Sequence, residues 1–544
     1  MALSQDTYRD AQRAMARELK RAINKLHHEG NPKPYFLSYL LHSMHAVSIW
    51  GRYGAVFNSE DYLENDLYAE VRVGDYAFDQ TLDGGITVNL ADRESHDWIV
   101  GPQDLDPDAI RYTLWKLTQR KYEEALRDFY DKKKVLVDQH LDPKIPSFSQ
   151  EKKVRHLEEV SDVRFPKKRW EEFVRKSSAL FKKHKTLQDP YVRMRALQMV
   201  RVYVNSEGTQ FRTTETFYEV VIKAWFLAED GSWLSAFRNF YSRRATDFPK
   251  MPAMDKAIQE IVQDLAEQAQ AQPLEPYAGP ALLSGLTAGL IFHEALGHRL
   301  EGERMISRVE GRTFANRIGM PILPESLQII DDPTLETWED TTLYGHYKVD
   351  DEGVPSQPVT LVRDGRLESF LMSRSPVKGF SQSNGHGRTE RFQDPMARMA
   401  NLIVKSDDSL SHDELKSRLC EEVRARGLPF GLLIRGALGG ETRTDHYDFQ
   451  AFKGHPTAVY TVDPETGKET RVRNVEFIGT PLAVIQRILA LGDQHEVDNS
   501  YCVAESGSIP VSTIAPEMLV GDLELQRSTV RSYRPPILPF PPMR

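Results

Sequence analysis

MVRVYVNSEGTQFRTTETFYEVVIKAWFLAEDGSW, residues 199–233, alternates apolar and polar side chains and breaks twice, at Asn205-Ser206-Glu207-Gly208 and at Glu229-Asp230-Gly231. A period of two places successive side chains on opposite faces of an extended strand, and Gly/Asn/Asp clusters are turn residues. Two or three antiparallel strands over residues 194–240 follow. Working outward, residues 35–90 show the same period, with turn signals at Asn58-Ser59 and Gly74-Asp75. Residues 105–190 revert to helical spacing, with Leu114, Leu117, Tyr122, Leu126 and Tyr130 forming an apolar stripe. Residues 1–30 read as an amphipathic helix rather than as a leader with an unbroken apolar core.

Residues 253–271 carry a helical apolar face of Ile258, Ile261, Val262 and Leu265, and AQPLEPYAGP (271–280) then supplies three prolines, which places a domain boundary there. Beyond it, short alternating segments at 357–362, 366–372, 401–405, 431–435, 457–462, 471–478 and 522–525 are separated by turn residues, with helices at 413–426 and 481–491. The proline-rich end, RPPILPFPPMR, reads as an extended tail. The fold class is therefore α+β in two domains. Residues 1–275 form an N-terminal domain of antiparallel strands and helices with a helical insertion at about 105–190. Residues 276–544 form a C-terminal, mainly antiparallel β domain.

Composition narrows the function. Charged residues make up 27% of the 544 and the net charge is −9, so no global positive field favours nucleic acid or an anionic membrane. The basic excess within 151–190 lacks an aromatic platform and reads as a solvated helical face. No apolar run is long enough to span a bilayer, and the expectation is a cytoplasmic protein. Cys420 and Cys502 are the two cysteines, too few for a disulfide scaffold.

The chemistry concentrates in SGLTAGLIFHEALGHRLEGER, residues 284–304. His293, Glu294 and His298 resemble the His-Glu-x-x-His device of zinc peptidases, with one residue more between the histidines. In a regular helix a four-residue step returns to within about 40° of the same face, whereas five residues end about 140° away. Two ligands on one ion therefore require a widened, π-type turn, and Gly297 is a place where such a turn meets little side-chain resistance.

The run H-E-A-L-G-H-x-L-E-G (293–302) resembles the His-Glu-x-x-x-His signature of the TldD/PmbA family of zinc metallopeptidases. Asp350–Gln357, the Asn384–Arg388 loop, Pro395–Asn401 and Cys502–Val511 resemble family blocks in the same order, and Tyr68–Asp75 is similar to a strand motif of the family's N-terminal domain. Glu303 departs from the pattern, standing where relatives commonly have Asp, and 105–190 looks like an enlarged insertion.

The resemblance implies one zinc ion per catalytic chain and hydrolysis of peptide bonds in linear or unstructured peptides. It further implies zinc-activated water with Glu294 as general base, and a homodimer or a heterodimer with a sister subunit lacking the motif. A catalytic zinc needs a third protein ligand. Cys502, His346, His386, His446, His455, Glu301 and Glu303 are chemically able, and the resemblance points to Cys502, in the turn-rich stretch NSYCVAESGS. Cys420, in a helical run, reads as a structural thiol. Glu301 and Glu303 follow His298 closely and suit anchoring of a ligand histidine.

Strands within 430–445 suit pairing with an extended peptide, with Gly439 and Gly440 allowing close backbone approach and His386 and Arg391 as further candidate substrate contacts. The alternative reading is a zinc-holding, peptide-binding regulatory subunit with little turnover.

Overall fold

In the computed structural model, the alternation over residues 34–73 becomes two strands, β1 (Pro34–Arg52) and β2 (Ala55–Val73), paired along their length. The structure describes residues 3–528 apart from 82–97, 140–144, 161–162, 164, 307–312, 443–451 and 479–480, and beyond 528 only 533–534 and 538. The hairpin reverses at Tyr53-Gly54, both with left-handed backbone (φ 46° and 81°), the two-residue loop whose twist matches paired strands. The turn expected at Asn58-Ser59 is thereby corrected. Those residues sit inside β2 opposite Trp50 and Ile49, and their polarity reflects the exposed end of the strand.

Among the described residues, seven strands make the N-terminal sheet. Its order is β3 (Trp98–Val100), β2, β1, β5 (Gln188–Asn205), β6 (Gln210–Leu227) and β4 (Arg155–Leu157), with β7 (Trp233–Ser242) also on β6. Helices α1 (Gln5–Lys25), α2 (Pro107–Gln139), α3 (Lys167–Ala179) and α4 (Met251–Gln270) pack on one face. The alternation decides which side chains meet them: Leu37, Tyr39, Leu41, Val47 and Ile49 of β1 join the helix-covered cores. In α2, Leu114, Leu117, Tyr122 and Leu126 are buried, but Tyr130 is 45% exposed and its hydroxyl reaches Asn31. The 105–190 region is not wholly helical, because β4 pairs in parallel with β6.

Among the described residues, most C-terminal strands form one fifteen-stranded sheet, with two separate two-stranded sheets at 337–342 and 387–397; the large sheet is built around the long strand Gly507–Arg527, which forms a hairpin with Ile488–Ala504 and pairs on its other side with Tyr277–Leu283. Pairing is mainly antiparallel. Parallel pairs join 401–403 to 512–514, 281–283 to 432–434, 409–410 to 491–492, and 272–273 to 472–473. The helix expected over 481–491 is shorter, Pro481–Ile485, because cross-strand pairing takes over from Ile488. The chain is α+β. No helix among the described residues is long and apolar enough to cross a membrane.

Candidate metal centre

The strand Tyr277–Leu283 runs into Ser284, whose hydroxyl caps α5 (Gly285–Phe292) by accepting from Thr287 N. α5 is apolar on all sides and lies against the Gly507–Arg527 strand; a Cβ at Gly285 would come within 2.4 Å of the Ala515 carbonyl oxygen, so glycine lets the helix begin in contact with the sheet. The helix then widens into a π turn over His293–Gly297, and His298 N donates to His293 O five residues back. Arg299, fully buried, donates from Nη1 to the Glu294 and Ala295 carbonyls of the widened turn at 2.6 and 3.0 Å. Gly297 is needed for a reason beyond the helix itself. A Cβ there would stand 2.0 Å from Met399 Sδ, so the turn and the 395–401 segment interlock.

The widened turn brings the two imidazoles together, with ring centroids 5.0 Å apart and planes at 89°. His293 Nε2 and His298 Nε2 lie 3.1 and 3.3 Å from Cys502 Sγ. Cys502 comes from the end of the strand Ile488–Ala504, opposite Ile509; the stretch expected to be a turn-rich loop holds its strand partly extended, and the reversal falls at Glu505-Ser506. His293, His298 and Cys502 form, among the described residues, a buried group whose ligand atoms lie within 4.8 Å of one another.

The electrostatics suit a cation. Burial alone would push the Cys502 thiol up, but the imidazoles of His298 and His293 and the Arg398 guanidinium outweigh it and hold the thiol well below its usual range. Arg398 Nη2 donates to Cys502 Sγ at 3.1 Å and to its carbonyl oxygen at 2.9 Å. Glu301 faces His298 Nδ1 at 3.2 Å and accepts from Arg304 Nε at 2.9 Å. Burial raises the Glu301 carboxyl, yet His298 and Arg304 bring it down to about 2. An ionised carboxylate only accepts, so Nδ1 of His298 carries a hydrogen, and Nε2 is the ring atom left to bind a metal beside the cysteine. Two imidazole nitrogens and one thiolate, held by such outer partners, fit zinc.

Glu294 lines the same cavity as the three donors, a space of about 1420 Å³ bounded also by β7, α4 and the strand Ala437–Thr442. Gly439 opens onto it with left-handed backbone (φ 52°) at a register shift between Leu438 and Gly440, a glycine bulge.

Other candidates lie elsewhere. His386 is fully buried, with Nδ1 at the Asn384 oxygens and Nε2 3.4 Å from Asp331; it organises its loop and does not reach the centre. Arg391 pairs with Glu64 and Asp66 of β2 and lines a different cavity. Glu303 touches neither histidine; its carboxyl takes Ser373 Oγ and Ala397 N, and burial raises it to about 7. His346 holds the Pro333 carbonyl and His455 faces Glu476, while His446 lies outside the described residues. Cys420 is buried among Leu282, Leu415, Leu419 and Leu433. Sequence reasoning missed Arg398 and Arg299, whose guanidiniums act on atoms that local pattern does not announce.

Residues 277–527 match the model of the PmbA/TldA metallopeptidase C-terminal domain. A protein of Archaeoglobus fulgidus described as a metalloprotease is 30% identical over 281 residues, 51% of this chain and 60% of that one. A zinc metalloprotease TldD homolog of Saccharolobus solfataricus is 24% identical over 275 residues, 49% of this chain and 57% of that one. The chain thus spans somewhat over half the length of these relatives. Its fold is similar to that of TldE from Thermococcus kodakarensis (TM-score 0.58, 11% identity, 94% of this chain and 100% of that one). Residues 277–527, with the donor cluster inside them, thus match the C-terminal domain of the TldD/PmbA family.

Proposed function

We propose that this chain is a zinc-dependent peptidase acting on linear or unstructured peptides, with His293, His298 and Cys502 as metal ligands and Glu294 as general base. The observation that carries the reading is the convergence of the two Nε2 atoms on Cys502 Sγ at 3.1 and 3.3 Å, with Glu294 on the wall of the same cavity. Zinc at these donors would supply a Lewis acid and a water acidified toward neutral pH. Glu294 accepts the proton of the water that attacks the peptide carbonyl, then passes it to the amine that leaves. Glu301 fixes the ring of His298, and Arg398 keeps the cysteine as thiolate.

The edge strand Ala437–Thr442 pairs only with Phe452–Pro456 among the described residues, which leaves its other edge for an extended peptide beside Gly439. Names given to relatives support peptide-bond hydrolysis, and in this reading the chain acts as a homodimer or paired with a motif-lacking sister chain. Residues 1–275 and 276–544 act as the two domains in this reading, with one zinc per chain.

The test is metal content together with hydrolysis of an unstructured peptide and of the same segment inside a stable folded domain. Stoichiometric zinc, chelator-sensitive cleavage of the first and resistance of the second are expected. Full zinc with no turnover would favour a peptide-binding regulatory subunit instead.

A further inference from the structure

A second cavity, of about 300 Å³, lies on the face of the N-terminal sheet that the helices leave uncovered. The alternation that sends Leu41 and Val202 into the helix-covered core sends His42 of β1 and Arg193, Arg195 and Arg201 of β5 to this opposite face. Arg388 and Arg391, from the C-terminal half, close the cavity from the other side, and Leu197 and Phe217 give it an apolar wall.

The carboxylates around the cavity are engaged. Glu219 pairs with Arg193 at 3.1 Å, Asp351 with Arg201 Nη1 at 2.6 Å and Asp66 with Arg391 at 3.0 Å. Glu215 takes Arg243 at 2.7 Å, and Glu390 accepts from Ser508 N. The cations are not all matched. The half-buried Arg195 side chain has no ion pair or hydrogen bond among the described residues, and Arg388 spends both Nη atoms on the Met399 and Pro510 carbonyls rather than on an acid. His42, only 4% exposed, has neither ring nitrogen hydrogen-bonded, with Asp351 Oδ1 3.9 Å away. Arg201 Nε is likewise without an acceptor. Buried donors left unbonded cost about 1–3 kcal/mol each, so acceptor atoms placed among them are bound favourably.

We propose that this cavity binds a small organic anion, its single carboxylate or phosphate set against Arg195, Arg388 and His42 and its apolar body against Leu197 and Phe217. The proposal stands apart from the metal reading, because none of these groups belongs to the zinc cluster, although Tyr501 lines both cavities.

Calorimetric titration of the full chain with benzoate, phenyl phosphate and the neutral isostere benzamide tests it. One of the anions binds saturably, benzamide is weaker by about tenfold or more, and Arg195→Met weakens the anion by about tenfold, the worth of one charge-assisted hydrogen bond. Preference for benzoate assigns a carboxylate ligand, such as a peptide end, and preference for phenyl phosphate a phosphate ester. Chelator-treated protein binds equally. Absence of saturable anion binding, equal binding of benzamide, an unchanged Arg195→Met variant or loss of binding on chelation would each overturn the proposal. Should the variant fail to fold, crystals of the unmodified chain soaked in 4-bromobenzoate decide: a bromine anomalous peak in this cavity supports it, and a peak elsewhere or none at saturation overturns it.

Discussion

Arg398 Nη2 lies 3.1 Å from Cys502 Sγ and 2.9 Å from the same residue's carbonyl oxygen, so one guanidinium grips both the thiolate and the backbone that carries it. Its Nη1 reaches Ser506 Oγ and Gly507 O across the hairpin turn, which fixes the strand end as well. In metal-free protein, Arg398→Met should raise the thiol's titration, read from thiolate ultraviolet absorbance against pH. An unmoved titration would assign the low value to the histidines alone.

Glu294→Gln should leave zinc content and melting temperature near those of the parent while lowering kcat by about 10² to 10⁴, the range for loss of a general base. Undiminished turnover in a zinc-replete sample would remove Glu294 from the mechanism.

Cys502→Ala leaves two imidazoles in the cluster, and two protein ligands hold zinc poorly. Zinc and activity should fall together, whereas Cys420→Ala, altering a thiol packed among leucines, should keep both. A full zinc complement in the Cys502 variant would move the third ligand to another residue.

Gly297→Ala forces a methyl toward Met399 Sδ and should destabilise the chain by about 1–3 kcal/mol, as overpacking does. Adding Met399→Ala should make the double variant more stable than the two single losses combined, measured by denaturant unfolding. Strict additivity would show that the contact does not limit the π turn.

Glu303 titrates near 7 in the folded chain and near the ordinary carboxyl value when unfolded, because burial disfavours its charge. A raised folded value means that its contribution is complete below about 4.5 and is lost as pH rises through about 7. Glu303→Gln, which mimics the neutral form, should flatten the fall of melting temperature across that window. Asp350 and Glu352, both raised by burial, contribute in the same direction and leave a residual slope.

Much of this was readable from local pattern. The five-residue step from His293 to His298 demanded a widened turn, and residues 293–297 form one. Alternation located β5, β6 and β7 because each has one face against helices and so keeps period two. Failures came where distant partners overrule local signals. Tyr53 takes left-handed backbone in a turn that its side chain does not advertise, while Asn58-Ser59 looks like a turn and is held in a strand by Trp50 and Ile49. Cys502 sits among turn-forming residues that pairing with Ile509 keeps extended. His386 carries a ligand's chemistry but is claimed by its neighbour Asn384 and by Asp331, 55 residues away, which the local sequence does not disclose as a partner.

The donors of the centre are 204 residues apart, His298 to Cys502, with the cysteine delivered by the late hairpin. At about 5–20 residues per second of synthesis, roughly 10–40 s separate the appearance of the histidine pair from that of the thiolate. Throughout that interval a growing chain carries Glu294 and two imidazoles but no complete set of donors. Under the proposed reading, hydrolytic competence is therefore deferred by topology until the late hairpin has closed.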